Sequence, residues 1–223
     1  MTDKIDLSVI IPVYNEAKTC AEIIKRVQAI SIVNEIIVVD DASTDGTIDI
    51  LEAMDNIKVI RHEKNKGKGA AVRTGLAHVQ GNYVITQDAD LEYDPADFVR
   101  LIEPIEVGRV RVVYGYRDFV GQELALRVGN RFLTGVANLM YGSDLRDMET
   151  CYKVFKVEVL RDLKFESNRF GFEPEVTAKI SKIPEIRIYE VGISYYGRTY
   201  KEGKKINWRD GLRALYCILK YNL

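Results

Sequence analysis

The first part of the chain contains short, continuously apolar segments separated by stretches with a different periodicity. Leu7–Val13 (LSVIIPV) and residues 35–41 (EIIVVDD) are rich in β-branched side chains, and residues 57–61 and 82–86 share this character. Strands of a parallel sheet have such sequences when helices cover both faces, because neither side of the strand then meets water. These four segments are therefore predicted to be strands.

Between these strands, apolar residues recur every three or four positions, which is the spacing of one helix face. The recurring residues are Ile23, Ile24, Val27 and Ile30, then Ile48, Leu51 and Met54, and finally Val72, Leu76 and Val79. Four strands alternating with three helices over about the first 90 residues are typical of a doubly wound α/β sheet.

The second half of the chain is less regular. Its pattern predicts strands at residues 111–117 and 186–197, a helix at residues 122–141 and a terminal helix at residues 207–221. We expect one domain over residues 1–223, with a mostly parallel central sheet flanked by helices. The regular half would cover about residues 1–117, and the irregular half about residues 118–223.

Three polar segments follow three of the predicted strands directly. They are PVYNE (residues 12–16), DDASTDGT (residues 40–47) and QDADLE (residues 87–92). Ligands of open α/β sheets bind at the carboxyl ends of the strands, so these segments are expected to meet at one rim. Asp88, Asp90 and Glu92 would repel one another there unless a cation holds them. Carboxylates and phosphate oxygens are ligands that Mg²⁺ and Mn²⁺ prefer, so the rim predicts one of these cations and a diphosphate ligand.

Composition narrows the function classes. Of the 223 residues, 47% are hydrophobic, which is enough for a substantial core, and the net charge of −1 argues weakly against a dedicated nucleic-acid binder. The three cysteines form no C-x-x-C pair, which favours a reducing compartment. No apolar run approaches the roughly 18 residues that span a membrane, and no secretory signal is recognisable at the start. The expected location is cytoplasmic, either free or peripheral on the cytoplasmic face of a membrane.

Several of these motifs together resemble a known family. The segments PVYNE, VVDDASTDGT, NKGKGAAVRTG and DADLE have the order and spacing found in family 2 glycosyltransferases with the GT-A fold. YGYR, NRFLTG, DMETCYKVF and YYGRTYKEGKK resemble the branch that contains dolichol-phosphate mannose synthase and polyprenyl-phosphate glycosyltransferases. This resemblance implies metal-dependent, inverting transfer of a hexose, mannose or glucose, from a GDP- or UDP-linked donor to a polyprenyl or dolichyl phosphate.

The resemblance also implies roles for individual residues. Those expected to line the nucleotide pocket are Pro12, Tyr14, Glu16, Val39, Asp40 and Asp41, with Ala89 and Asp90 near the ribose and diphosphate. Asp88, Asp90 and Glu92 are the expected metal ligands, although the family often has glutamine in place of Glu92. Two plainer interpretations stay open, since Tyr14 could simply pack on the sheet edge and Asp40 could only cap the following turn.

Basic residues near the rim are candidates for binding phosphate. Charge developing on the leaving diphosphate would be neutralised by candidates Arg117, Arg131, Arg198 and Lys204. The glycine-rich turn is expected to deliver Lys68 and Arg73 towards an anionic ligand. The same turn imitates a dinucleotide fingerprint, but six polar residues separate it from the preceding strand and the third glycine is missing, which argues against a nicotinamide site. A nucleotidyltransferase is disfavoured as well, because PVYNE after the first strand offers no phosphate cradle.

The mechanism depends on whether the acceptor is a hydroxyl group or a phosphate. A hydroxyl acceptor requires a carboxylate base, and Glu149 or Asp147 could serve. A lipid phosphate is already ionised near neutral pH and needs cations instead, which residues 198–205 (RTYKEGKK) supply unless they form a solvated face. This charge run favours the phosphate acceptor.

A polyprenyl acceptor would require a surface that faces the membrane. In the terminal helix, Leu212, Leu215, Tyr216 and Leu219 fall on one side, as in a helix that lies in the membrane interface. Residues 122–141 are a second candidate. The same surfaces could equally pack on the core, on a second copy in a homodimer or on a membrane-anchored partner subunit.

Overall fold

The computed structural model describes residues 5–108, 110–118, 124–198 and 208–222, and within them seven strands form one sheet. The strands are β1 (Leu7–Val13), β2 (Val33–Asp40), β3 (Lys58–Arg61), β4 (Tyr83–Thr86), β5 (Val112–Arg117), β6 (Lys153–Lys156) and β7 (Ile188–Ile193). Each strand predicted from the sequence is present. The largest departure in their bounds is at β7, which is shorter than its predicted range at both ends.

The strands are ordered β3-β2-β1-β4-β6-β5-β7 across the sheet. β1 pairs in parallel with β2 and β4, β2 pairs in parallel with β3, and β5 pairs in parallel with β7. β6 lies antiparallel between β4 and β5. The predicted fold class, a mostly parallel α/β sheet flanked by helices, is confirmed.

Eight helices accompany the sheet in the described ranges. They are α1 (Cys20–Gln28), α2 (Thr47–Glu52), α3 (Lys68–Leu76), α4 (Phe98–Glu106), α5 (Leu124–Tyr141), α6 (Val157–Arg161), α7 (Phe172–Ser181) and α8 (Trp208–Asn222), with a 3₁₀ turn at Pro95–Asp97. The five predicted helices correspond to α1, α2, α3, α5 and α8. The pattern made no prediction for β6, α4, α6 or α7.

The hydrophobic core is divided into layers by the sheet. Leu7, Val9 and Ile11 of β1 belong to a buried cluster that includes residues of α1 and α4. Ile10, which points the other way, belongs to a cluster with residues of α3, α5, α7 and α8. Alternate residues of a strand face opposite sides of a sheet, so β1 is buried on both faces, as its continuously apolar sequence predicts.

The glycines of the NKGKG turn are required by close packing. A Cβ on Gly67 would lie 2.3 Å from the carbonyl oxygen of Asn168, and one on Gly69 would lie 2.4 Å from that of Ser167. Gly67 also has a φ of +96°, which side chains rarely adopt. The turn is therefore held against residues 167–169. This packing explains the glycines without a phosphate cradle.

Replacing Gly67 by alanine is expected to lower the free energy of unfolding by about 2 kcal/mol or more, because the backbone strain and the clash with Asn168 add together. Chemical denaturation would measure the loss. Gly46→Ala is the comparison, since Gly46 also has a positive φ, +87°, but open space around it, and its ψ of 2° lies in the left-handed helical region, where a side chain costs only about 1 kcal/mol of strain. Equal losses for the two variants would show that packing against residues 167–169 does not require the glycine.

Helices α5 and α8 lie side by side and leave apolar side chains on the surface. Val128, Phe132 and Leu139 of α5 are exposed, as are Leu212, Tyr216 and Leu219 of α8. Leu215, predicted to share that side of α8, is partly buried, while Ala214, Cys217 and Ile218 pack inward. Neither α5, α8 nor any other helix of the described ranges combines the length and apolar character of a membrane span.

Candidate active site

A cavity of about 460 Å³ opens at the carboxyl ends of β1, β2 and β4. Residues from all three polar segments line it, namely Pro12, Tyr14, Glu16, Asp41, Asp88, Ala89, Asp90 and Glu92. The structure thus brings together the strand ends that the sequence was expected to place at one rim. Tyr14 is 38% exposed at the mouth of this cavity rather than covered by the sheet edge.

The opposite wall of the cavity comes from the second half of the chain. Because β6 runs antiparallel, the residues before it arrive at the edge where β4 and β5 end. Glu149 and Cys151 therefore line the cavity together with Arg117 at the end of β5. Glu173, in the first turn of α7, completes this wall and was not anticipated, because its helix had no sequence prediction.

The acidic rim is held by two basic side chains in this structure. Arg198 donates through its guanidinium to Glu16 at 3.2 and 3.3 Å and to Asp90 at 3.2 Å. Glu92 accepts from the Arg198 backbone amide at 2.7 Å and from the Tyr195 hydroxyl at 2.8 Å. Arg198 thus connects three of the rim carboxylates.

The second basic side chain is Lys68. Its ammonium lies 2.8 Å from Asp88 Oδ1 and 3.1 Å from Glu173 Oε1, so it bridges the two walls of the cavity. Burial alone would lower the pKa of Lys68, but Asp88 and Glu173 outweigh it and raise that pKa well above its ordinary value. Lys68 is therefore a fixed positive charge beside Asp88.

Arg198 neutralises only part of the negative charge around Asp90. Burial, followed by the charges of Asp88 and Glu92, raises the pKa of Asp90 to about 7, although the nearby Arg198 lowers it. Across the described part of the chain, no three His, Cys, Asp or Glu residues converge closely enough to hold a metal ion among themselves. A cation held by Asp88 and Asp90 would therefore need further ligands besides these two carboxylates.

Arg117 is fixed by Asp147 on the opposite wall. Its Nε and Nη2 donate to the two oxygens of Asp147 at 2.7 and 2.9 Å, and Asn130 donates to the same carboxylate at 3.2 Å. Burial raises the pKa of Asp147, but the contact with Arg117 lowers it more strongly, to a net value below the ordinary one. Asp147 is 1% exposed and serves as the counterion of Arg117. Of the two candidate bases, only Glu149 lines the cavity.

One carboxyl oxygen of Glu149 has no hydrogen-bond partner in the described structure. This oxygen is Oε1, which is buried, and the residue as a whole is only partly exposed. Burial, followed by the charge of Glu173, raises the pKa of Glu149 to about 8. The group therefore holds a proton near neutral pH that it would lose in the unfolded chain.

This raised pKa predicts a pH dependence of stability. The unfolded carboxyl group titrates near 4.5, so its contribution to stability is fully present below that pH and is lost as the pH rises through about 8. Glu149→Gln cannot ionise and should be more stable than the parent protein at pH 8 by about 1 kcal/mol or more, with little difference at pH 4. Urea denaturation at both pH values would test this, and an unchanged difference between pH 4 and pH 8 would contradict it.

Asp41 lines the cavity, but its carboxylate already has three hydrogen-bond contacts within the protein. It accepts from the backbone amides of Lys66 at 2.8 Å and Gly67 at 2.7 Å, and it contacts His62 Nδ1 at 2.7 Å. Asp41 thus connects the end of β2 to the glycine turn. Its predicted contact with the base or ribose stays a prediction, and the structure adds a structural role.

Several predicted site residues lie away from the cavity. Asp40 is fully buried, where it accepts from the Ser43 amide and lies 3.6 Å from Arg61 Nε, as the turn-capping interpretation requires. Val39 is buried in the sheet. Arg73 points away from the expected ligand, because its guanidinium binds Ser167 and Asn168. Arg131 is exposed on α5 and is not among the residues that line the cavity, whereas Lys204 lies outside the described residues, so its prediction is not tested.

Comparisons with known proteins agree with this geometry. The profile of the family described as glycosyl transferase family 2 matches residues 8–164. The chain is 30% identical to glycosyltransferase AglJ of Haloferax volcanii over 85% of its own length and 63% of the relative. It is 31% identical to a dolichol-phosphate mannosyltransferase of Pyrococcus furiosus, over 96% of its own length and 64% of the relative. The chain therefore spans less than two thirds of these two relatives.

Another relative has nearly the same length as this chain. It is a UDP-N-acetylglucosamine–dolichyl-phosphate N-acetylglucosaminyltransferase of Methanococcus voltae, 30% identical over 98% of the chain and 96% of the relative. Among solved structures, glucosyl-3-phosphoglycerate synthase of Mycobacterium tuberculosis, in complex with Mn²⁺, UDP and phosphoglyceric acid, superposes with a TM-score of 0.77. That likeness covers 97% of the chain and 78% of the other at 22% identity, and it concerns the fold.

Proposed function

Since this chain belongs to glycosyl transferase family 2, we propose that it transfers a hexose from a nucleoside-diphosphate sugar to a polyprenyl or dolichyl phosphate. The donor would be of the GDP-mannose or UDP-glucose type. The observation that carries the proposal is one cavity in which Asp88 and Asp90 face the cations Lys68, Arg117 and Arg198. Such an arrangement suits a diphosphate leaving group bound with a divalent cation.

The rim fits a magnesium or manganese ion. Asp88 and Asp90 supply two carboxylates in one cavity, and these cations commonly take one or two carboxylates plus phosphate oxygens. The raised pKa of Asp90 indicates more negative charge than Arg198 neutralises. Asp88 and Asp90 would hold the ion and Glu92, already bonded on both oxygens, would hold Arg198. A bound cation would stabilise negative charge on the leaving diphosphate.

The chain's own residues would orient the donor. Tyr14 and Asp41 would contact the nucleoside, and Lys68 and Arg117, which line the same cavity, would contact the diphosphate. Arg117 is already aligned by Asp147, so little ordering would be needed when its positive charge meets a phosphate. Attack on the anomeric carbon from the side opposite the diphosphate would invert its configuration in one step.

A phosphate acceptor is consistent with the cations around this cavity. The acceptor oxygen is ionised near neutral pH, so no side chain has to remove a proton. Arg117 and Arg198, which line the cavity, would bind it, and Lys201, Lys204 and Lys205, which lie outside the described residues, extend the basic run of the sequence. The names of relatives that act on dolichyl phosphate support the same class of acceptor.

One observation favours a second candidate, transfer to a hydroxyl of a glycan or soluble acceptor. Glu149 lines the cavity and has a pKa raised to about 8, within the range of a general base. The fold neighbour from Mycobacterium tuberculosis was solved with phosphoglyceric acid rather than with a lipid phosphate. The two candidates make opposite predictions for the effect of replacing Glu149 on turnover.

The paired surface of α5 and α8 would bring the enzyme to its lipid acceptor. Its exposed apolar side chains lie beside basic ones such as Arg131 and Arg213, a combination that suits the interface of an anionic membrane. We place this contact on the cytoplasmic face. A second copy of the chain or a membrane-anchored subunit could cover the same surface, and the proposed transfer does not depend on which of them does.

The direct test is transfer itself. The protein is incubated with Mn²⁺, a short polyprenyl phosphate and a panel of radiolabelled GDP- and UDP-sugars, and the product is extracted into organic solvent. We expect metal-dependent label in the organic phase with at least one donor and none without the lipid phosphate. Label that stays in the aqueous phase with every lipid phosphate, but moves onto an added glycan, would assign the hydroxyl acceptor instead.

A further inference from the structure

Helix α5 carries three polar side chains on the face that packs towards the protein interior. Asn130, Thr134 and Asn138 are spaced four residues apart, and each bonds to the loop that joins α5 to β6. Thr134 Oγ1 accepts from the Met148 amide at 3.2 Å. Asn138 accepts from the Leu145 amide at 2.9 Å and donates to the Leu145 carbonyl at 2.8 Å. This row of side chains therefore anchors the loop to the helix.

The same loop is held from the sheet by Glu190 of β7. The Glu190 carboxylate accepts from the backbone amide of Arg146 at 2.9 and 3.0 Å and from that of Asp147 at 3.2 Å. The backbone at Asp147 is therefore fixed between α5 and β7, and the direction of the Asp147 carboxylate depends on the contacts of that side chain.

The Asp147 carboxylate accepts four hydrogen bonds among the described residues. Three come from Arg117, whose backbone amide and Nε donate to Oδ2 at 3.1 and 2.7 Å and whose Nη2 donates to Oδ1 at 2.9 Å. The fourth comes from Asn130 Nδ2, which donates to Oδ1 at 3.2 Å. Asn130 Oδ1 also accepts from Arg117 Nη2 at 3.5 Å, so one amide group contacts both members of the ion pair.

The bond from Asn130 differs from the others because it reaches the ion pair from a separate element. The guanidinium and the carboxylate could tilt together and keep the two bonds between them, but a bond to α5 opposes such a tilt. Asn130 is buried and is not among the described residues that line the cavity, whereas Arg117 does line it. Asn130 can therefore affect a ligand only through the pair that it holds.

We propose that Asn130 is a positioning residue, which acts through Asp147 to hold the Arg117 guanidinium in the direction that binds a phosphate group in the cavity. This inference rests on the proposed function and adds a residue to it. A charge-assisted hydrogen bond from a guanidinium to a phosphate oxygen is strong only when the two groups are aligned. The phosphate belongs either to the donor or to the acceptor, and the chemistry of recognition is the same.

A purely structural role would be to anchor the loop, as Thr134 does. Thr134→Val is therefore the matched control, because it removes the bond from α5 to Met148 in the same loop and leaves the ion pair alone. Asn130→Leu removes the amide and keeps a side chain of similar size. Both variants should be less stable than the parent protein in urea, and only Asn130→Leu should change the handling of phosphate.

Transfer is measured with Mn²⁺ while the donor and a short polyprenyl phosphate are varied in turn. We expect Asn130→Leu to lower kcat/KM about tenfold and Thr134→Val to stay within about twofold of the parent protein. Calorimetry compares UDP with UMP and GDP with GMP. Weaker binding of the diphosphate alone would assign the effect to the donor, whereas a higher KM for the lipid phosphate alone would assign it to the acceptor. A loss confined to kcat would assign it to charge developing on the leaving diphosphate.

A double substitution tests whether Asn130 acts through Arg117. Arg117→Lys keeps a positive charge beside Asp147 but lacks the fork whose direction Asn130 controls. Adding Asn130→Leu to Arg117→Lys should therefore lower kcat/KM by less than about twofold, although the same change costs about tenfold in the parent protein. If the leucine variant is too unstable, Asn130→Ala replaces it, since alanine is favoured within a helix.

Parent values of kcat/KM and of nucleotide affinity in the Asn130 variants would overturn the positioning role. Equal losses in Asn130→Leu and Thr134→Val would show that the loop as a whole matters and would overturn it as well. A full tenfold loss in the Arg117→Lys background would exclude action through Arg117. All three outcomes leave transfer by the parent protein standing, whereas a parent protein that binds no nucleotide and transfers no sugar would refute the proposed function too.

Discussion

Replacing Asp90 by asparagine is expected to lower the transfer rate at least about 10²–10³-fold, the largest effect of any single isosteric change in this cavity. The substitution keeps the size of the side chain but removes a charge from the pair Asp88 and Asp90. Donor affinity should fall only when Mg²⁺ or Mn²⁺ is present, because the carboxylate would act through the cation.

Stability should respond in the opposite direction from activity. Asp90 is only partly exposed and its pKa is raised to about 7, so in EDTA the asparagine variant should melt no lower than the parent protein. Asp94→Asn is the control, since Asp94 caps the 3₁₀ turn and does not line the cavity. Wild-type turnover for Asp90→Asn, with donor affinity insensitive to metal in both proteins, would refute the metal site.

The second large effect concerns Arg198 and decides between the two acceptors. Arg198→Ala removes the cation that contacts Glu16 and Asp90, and its loss should cost about 10²–10³ in turnover if the acceptor is a phosphate. Glu149→Gln should then cost much less than the 10²–10⁴ expected when a general base is removed. A hydroxyl acceptor predicts the reverse order.

The measurement is turnover of each variant at a saturating donor concentration. A change in donor affinity then does not lower the measured rate. Arg198→Lys keeps the charge without the guanidinium fork and should recover part of the activity. Arg213→Ala, an exposed arginine of α8, controls for loss of surface charge. A thousandfold loss for Glu149→Gln, with Arg198→Ala close to the parent, would make this a hydroxyl glycosyltransferase.

The strands of the first half were predictable because burial on both faces leaves an unmistakable sequence. β1 and residues 36–39 of β2 are almost entirely apolar, and the polar residues that follow them fall where parallel strands place ligands. β6 was not predicted because KVFK is only four residues long and begins with Lys153. A lysine normally indicates a position exposed to water, whereas Lys153 is buried. Nothing local in that segment specifies that it runs antiparallel.

The site residues could be predicted where they belong to a short sequence motif. They could not be predicted where the site is formed by contacts between residues far apart in the sequence. Asp88 and Asp90 could be found because they follow a strand directly. The lysine between Asp88 and Glu173 joins residues from three segments, and no spacing along the chain reveals it. The error at Arg73 has the same origin, because packing of the glycine turn against residues 167–169 directs that side chain away from the cavity.

The antiparallel insertion of β6 has a consequence for how the chain can be synthesised. β4 is joined to β1 on one side and only β6 can complete its other side, yet β6 lies some seventy residues later, after β5. A nascent chain on the ribosome would therefore expose the hydrogen-bonding edge of β4 until residues 153–156 emerge. Since β5 and β7 reach β4 only through β6, the protein is expected to become protease-resistant in one late step rather than half by half.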